Sequence, residues 1–113
     1  FFQIFSGGAG SWQMTNTDLL VGQWQHIAGS DDNDSINNDP VIYLNGQPSI
    51  ITEVITPIGT RSSDVGQDLY FGNRQAANRG FEGKIGKIKL FDFELTETQV
   101  KWIYEKERRL LNI

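Results

Sequence analysis

Cysteine is absent from the 113-residue chain, which excludes disulfides, thiolate metal sites and a cysteine nucleophile together. Histidine occurs once, as His26. A Ser-His-Asp triad therefore has a single available base, and no G-x-S-x-G turn presents a serine to it. Positive charge is short as well: 10 Lys and Arg stand against 14 Asp and Glu, for a net charge of −4. A nucleic-acid binder carries a basic face, so nucleic acid is not an expected partner. No apolar run approaches the roughly 20 residues of a membrane span, and no secretory leader pattern is present, so no membrane partner is expected either. The glycine-rich stretches Gly7-Gly8-Ala9-Gly10 and Gly83–Gly86 lack a following Lys-Ser/Thr. They read as turn and bulge glycines, not phosphate cradles.

What remains is ordinary for one globular domain: 38% hydrophobic and 21% charged residues. The chain is rich in Gly, Asn, Gln, Ser and Thr, a mixture that suits short strands and tight turns. Residues 1–5 form an apolar run, and a glycine-rich breaker separates them from the alternating run 11–16, which predicts a hairpin. In residues 23–28 a period of two places Trp24, His26 and Ala28 on one face. Strands are expected at 41–45 and 49–55 across the type I′ turn signal Asn45-Gly46. Further strands are expected at 68–72 and 81–92, the second with a β-bulge at Gly86, where the apolar positions change parity. The predicted core holds Trp24, Ile27 or Ala28, Tyr43 with Ile42 and Leu44, Leu69, Phe71, Phe81, Ile85, Ile88, Leu90 and Leu95.

Thr96-Glu97-Thr98-Gln99 has the form of a capping box, and a helix to about Leu110 should follow. Val100, Ile103 and Tyr104 line one of its faces, and the opposite charges of Lys101–Glu105 and Glu105–Arg109 sit at i,i+4. Strands closed by one terminal helix argue an all-β antiparallel sandwich.

Four motifs, taken in order, point further. They are the tryptophan strand Gly22–Ala28, the tyrosine strand Val41–Gln47, Leu69-Tyr70-Phe71-Gly72, and Phe81-x-Gly83-x-Ile85. Together they resemble the laminin-G-like, concanavalin-A-like lectin/glucanase family over about residues 20–104. The resemblance implies a jelly-roll β-sandwich that recognises ligands, with His26 in a structural role beside Trp24. It also implies more strands than this chain supplies. Residues 1–113 are accordingly expected to form a single laminin-G-like domain lacking its N-terminal strands. The apolar strand Phe1–Phe5 would be covered by the missing part of the same domain or by neighbouring subunits, and the isolated chain would aggregate or oligomerise.

Three groups of side chains are candidate sites. Asp31, Asp32 and Asp34, in a loop that also holds Asp39 and several asparagines, are hard oxygen ligands suited to Ca²⁺. The loop lacks the EF-hand glycine and distal glutamate, so turn-forming Asp and Asn are the better reading of it, with Ca²⁺ the alternative. Arg74, Asn78 and Arg79 offer guanidinium and amide donors for sugar hydroxyls or a partner's carboxylate. Trp12 on an open sheet face would stack on a sugar ring. Asp92 and Glu94 lie two apart, as glycosidase acids do, but at a strand end beside a helix cap, where a solvated turn is the better reading. The expected function is a non-catalytic module binding glycan or protein surfaces within a larger extracellular or virion protein. The alternatives are a structural decoration, fibre or appendage domain of a virus particle, and a fragment of a glycoside hydrolase.

Overall fold

The computed structural model describes residues 2–14, 19–32 and 34–113. Two compact units are present: Phe1–Ser62 with Phe93–Ile113, and Ser63–Asp92.

Among the described residues the regular elements all lie in the larger unit. Strand β1 (Phe2–Phe5) pairs antiparallel with β2 (Gly8–Met14), and β2 pairs antiparallel with β6 (Ile51–Ile55), giving the order β1-β2-β6. A second antiparallel sheet has the order β3-β4-β5, from Ile27–Ser30, Val41–Leu44 and Gln47–Pro48. Helix α1 (Glu97–Glu107) and a 3₁₀ turn (Arg108–Leu111) end the chain. This is an all-β antiparallel sandwich with one C-terminal helix.

The β1–β2 hairpin is tighter than expected. Phe5 pairs with Gly8, so Ser6-Gly7 alone makes the turn and the remaining glycines join the strand. Gly10 is needed there because the indole of Trp12 folds back over it, and a Cβ at residue 10 would collide with that ring. The Asn45-Gly46 turn forms as the sequence predicts, with left-handed φ of 52° and 77°. The capping box also forms: Thr96 Oγ1 accepts from Gln99 N at 3.2 Å, and Gln99 Oε1 accepts from Thr96 N at 2.8 Å.

The core is built from Phe5, Trp12, Ile42, Tyr43, Val100 and Ile103, all buried. Two hydrogen bonds cross-tie it. Trp12 Nε1 donates to Asp39 Oδ1 at 2.9 Å, joining β2 to the approach to β4. The buried Ser30 hydroxyl donates to the Leu95 carbonyl at 2.7 Å, joining β3 to the segment before α1.

Several core expectations are corrected. Trp24 is 37% exposed and Ile27 56%; β3 begins at Ile27, so Trp24 lies ahead of the strand rather than within it. Leu69, Phe71, Phe81, Ile85, Ile88 and Leu90 are exposed, and residues 63–92 hold no strand among the described residues. An alternating pattern states which residues would share a face, but a strand exists only through a paired neighbour. Within the smaller unit backbone bonds close turns: Gln67 N to Asp64 O, Ala77 N to Arg74 O, and Phe81 N to Gly72 O. Of the residues at the chain start, Phe1 lies outside the described residues and Phe5 is 4% exposed.

Candidate functional site

Trp12 is not the stacking platform that the sequence suggested. At 2% exposure, with its N–H given to Asp39, it presents no ring face to a ligand. The arginine loop forms a small structure within the Ser63–Asp92 unit. Asn73 Oδ1 accepts from the backbone N–H groups of Arg74 and Arg79 at 2.9 and 3.1 Å, and Arg74 Nε donates to Asn78 Oδ1 at 2.6 Å. The three predicted residues Arg74, Asn78 and Arg79 are thus brought together around Asn73, while Trp12 belongs to the other unit.

The aspartate loop is organised by its own backbone. Asp32 Oδ1 accepts from Asp34 N at 3.1 Å, and the Asp32 carbonyl accepts from Asn38 Nδ2 at 2.9 Å. Asp34 faces Arg61 at 3.8 Å, an exposed pair of little energetic weight. Asp31 is half-buried. Burial pushes its carboxyl above the usual 3.8, and the charges of Asp32, Glu94 and Asp39 push it the same way, against a hydrogen bond from the Gln3 side chain. Among the described residues no three His, Cys, Asp or Glu side chains converge as a metal cage.

A cleft of about 550 Å³ lies elsewhere in the larger unit. Gln23, Trp24, Gln25, Asn45, Tyr104 and Asn112 line it, with Leu20, Gly22 and Ile113. Its wall is held by backbone. Asn45 Oδ1 accepts from His26 N at 3.0 Å and Asn45 N donates to the His26 carbonyl at 2.8 Å, fixing the β4–β5 turn against the entry to β3. Gln25 Oε1 accepts from Leu20 N at 2.8 Å and curls the segment before β3. Tyr104, on α1, packs onto Gly46, where a Cβ would lie 2.8 Å from the ring. The Tyr104 ring also stands 5.7 Å from that of His26. The Arg108 guanidinium lies 5.6 Å from the centre of the Tyr104 ring and donates to Glu105 at 2.9 Å and to the Ile113 carbonyl at 3.3 Å. The lining carries no charged side chain: two aromatic rings and four carboxamides dominate it.

The sequence reading missed this cleft because it placed Trp24 in the core. The available signal was the density of Gln and Asn around Trp24 and at the Asn-Gly turn. Nothing local to residues 23–25 announces that Tyr104 and Asn112 join them.

The model of the concanavalin A-like lectin/glucanases superfamily, in its laminin G form, matches residues 1–101. The chain belongs to this superfamily. A solved structure from an S-layer domain-containing protein of Clostridium thermocellum is similar to this laminin-G-like domain, with a TM-score of 0.59 at 19% identity. The match covers 79% of this chain and 42% of that one, so the domain spans well under half of the neighbour's length. At that identity the likeness concerns the fold. No curated protein matches the sequence.

Proposed function

We propose that this laminin-G-like domain is a non-catalytic recognition module that binds glycan or protein surfaces within a larger extracellular protein. The observation that carries the reading is the lining of the cleft. Aromatic rings and carboxamides are groups that hold a hydroxylated or peptide ligand by stacking and reciprocal hydrogen bonds. A glycosidase needs instead two carboxyl groups roughly 5–10 Å apart across the bond to be cleaved, and the cleft lining includes none. The extracellular setting is supported by the superfamily and by the S-layer domain-containing protein whose fold is similar. The Asn73-centred loop, with Arg74, Asn78 and Arg79, is a second contact surface for acidic groups.

The test is to incubate the chain with a panel of immobilised oligosaccharides, then measure both retained protein and newly released reducing ends. Retention without cleavage supports the proposal. Release of reducing ends would establish the hydrolase alternative in its place.

A further inference from the structure

Independently of the recognition reading, we infer that the open edge of β6 is a dimerisation surface, which pairs antiparallel with β6 of a second copy of this chain and joins two three-stranded sheets into one. The sheet edges are not alike. β5 is two residues long and ends in Pro48, which has no N–H to donate. β3 has four residues, with Gly29 among them. Beside β1 runs the segment 58–61: Phe5 bridges to Arg61, Ser6 N donates to the Thr60 carbonyl at 2.9 Å and Gly7 N to the Ile58 carbonyl at 2.9 Å. β6 has five residues and, among the described strands, pairs with β2 alone, which leaves its other side open.

An open edge presents a row of unpaired N–H and C=O groups, and domains that stay single blunt it with lysine, proline or an inward-pointing charge. β6 reads Ile51-Thr52-Glu53-Val54-Ile55, with high strand propensity, no lysine and no proline. Its one charged side chain, Glu53, accepts from Thr56 Oγ1 of its own segment at 2.6 Å. Val54 and Ile55 stand 53% and 47% exposed, and Ile58 beyond them 63%. Strand pairing across this edge would cover apolar side chains as well as satisfy backbone groups.

The strand complements itself in one register. A twofold axis normal to the sheet keeps each side chain on its own face, so opposed residues share parity and one residue meets its twin. Centring on Glu53 sets two carboxylates directly opposite each other, which is destabilising. Centring on Val54 falls on the irregularity where β6 shifts register against Ser11 and Trp12. Centring on either end residue leaves most of the strand unpaired. Centring on Thr52 uses Ile51–Glu53, the stretch in regular register with Met14, Gln13 and Trp12. The exposed Thr52 then meets its twin, a favourable cross-strand pair, and each Glu53 faces an Ile51. So short a strand pair is small beside the roughly 1,600 Å² of a standard interface, and the dimer is accordingly weak and concentration-dependent.

The chain has no cysteine, so a single introduced thiol reports the register without interference. Sedimentation velocity on the whole chain should show a monomer–dimer equilibrium that moves toward dimer with concentration. Thr52→Cys should cross-link to its twin under mild oxidation, because opposed strand residues lie about 4.5–5.5 Å apart, within disulfide reach. Glu53→Cys should not, because its twin is then a diagonal neighbour about 7–8 Å away. Thr52→Lys should raise the concentration for half-dimerisation about tenfold or more, with an unchanged far-UV circular dichroism spectrum. Trp102→Ala, at an exposed position of α1, should leave that concentration unmoved. A chain that stays monomeric at every concentration, cross-linking at 53 as readily as at 52, or a dimer that survives Thr52→Lys would overturn the inference. So would a monomer whose Ile51–Ile55 amides become protected from exchange on adding an alternating Thr-Val peptide, which would make the occupant a strand from another protein.

Discussion

Trp12 and Trp24 exchange roles between sequence and structure, and mutating each measures that exchange. Trp12 is 2% exposed and Trp24 37%. Deleting a fully buried tryptophan side chain costs about 3–5 kcal/mol in lost transfer energy and cavity formation. Trp12 also loses its N–H bond to Asp39, but Asp39 is exposed and water replaces the donor, so this adds only about 0.5–1.5 kcal/mol. Trp12→Ala should therefore remove roughly 4–5 kcal/mol, much of the 5–15 kcal/mol that holds a typical domain together. With a urea m-value of about 2 kcal/mol/M, the midpoint should fall by roughly 2 M at constant m. Trp12→Phe keeps the ring and removes the donor, and should lose about 1–2 kcal/mol. Trp24→Ala should lose less than about 1 kcal/mol. Far-UV circular dichroism is the suitable probe, because each variant alters tryptophan fluorescence directly. If Trp24→Ala proved more costly than Trp12→Ala, the placement of both residues would be refuted.

Thr96→Ala removes the Oγ1 that accepts from Gln99 N, keeps the backbone N–H that donates to Gln99 Oε1, and should cost about 0.5–2 kcal/mol, read as a fall in melting temperature; no fall would mean that the side-chain cap adds nothing to the packing of Val100 and Ile103. Asp31 has its folded-state carboxyl raised, first by burial and then by neighbouring charges, so the folded state binds the proton more tightly than the unfolded state. Its contribution to stability is full below the ordinary 3.8 and is lost as pH rises through the folded value, so Asp31→Asn should raise the melting temperature at pH 7, with the gain shrinking toward pH 3; a gain that grew on acidification would reverse the sign. Gly46→Ala forces a side chain into φ 77° and toward the Tyr104 ring, and should destabilise the domain by more than the same change at Gly66, whose Cβ position is open. Calcium at millimolar concentration should raise the melting temperature if the Asp31–Asp34 loop holds an ion, and Asp32→Ala with Asp34→Ala should abolish the rise; an unmoved melting temperature would count against an ion there.

Local chemistry was legible in the sequence wherever it is self-contained. Asn45-Gly46 could only be a left-handed turn, and Thr96 with Gln99 could only close a helix start, because each satisfies its backbone groups within a few residues. The apolar stripe Val100 and Ile103 likewise fixed the buried face of α1, since helical spacing alone puts those residues together. The ordered motifs were enough for the superfamily. Tertiary structure decided everything that depends on a distant neighbour. Alternation at 81–92 gives the shared face of its residues but not the partner that would accept its hydrogen bonds. A tryptophan in an alternating run looks the same whether or not another layer covers it. Trp12 is buried and bonded to Asp39, 27 positions away, and Trp24 stays open beside Tyr104 and Asn112 at the far end of the chain. Burial and cleft formation are set by which segments meet in space, and a one-dimensional pattern carries no term for that meeting.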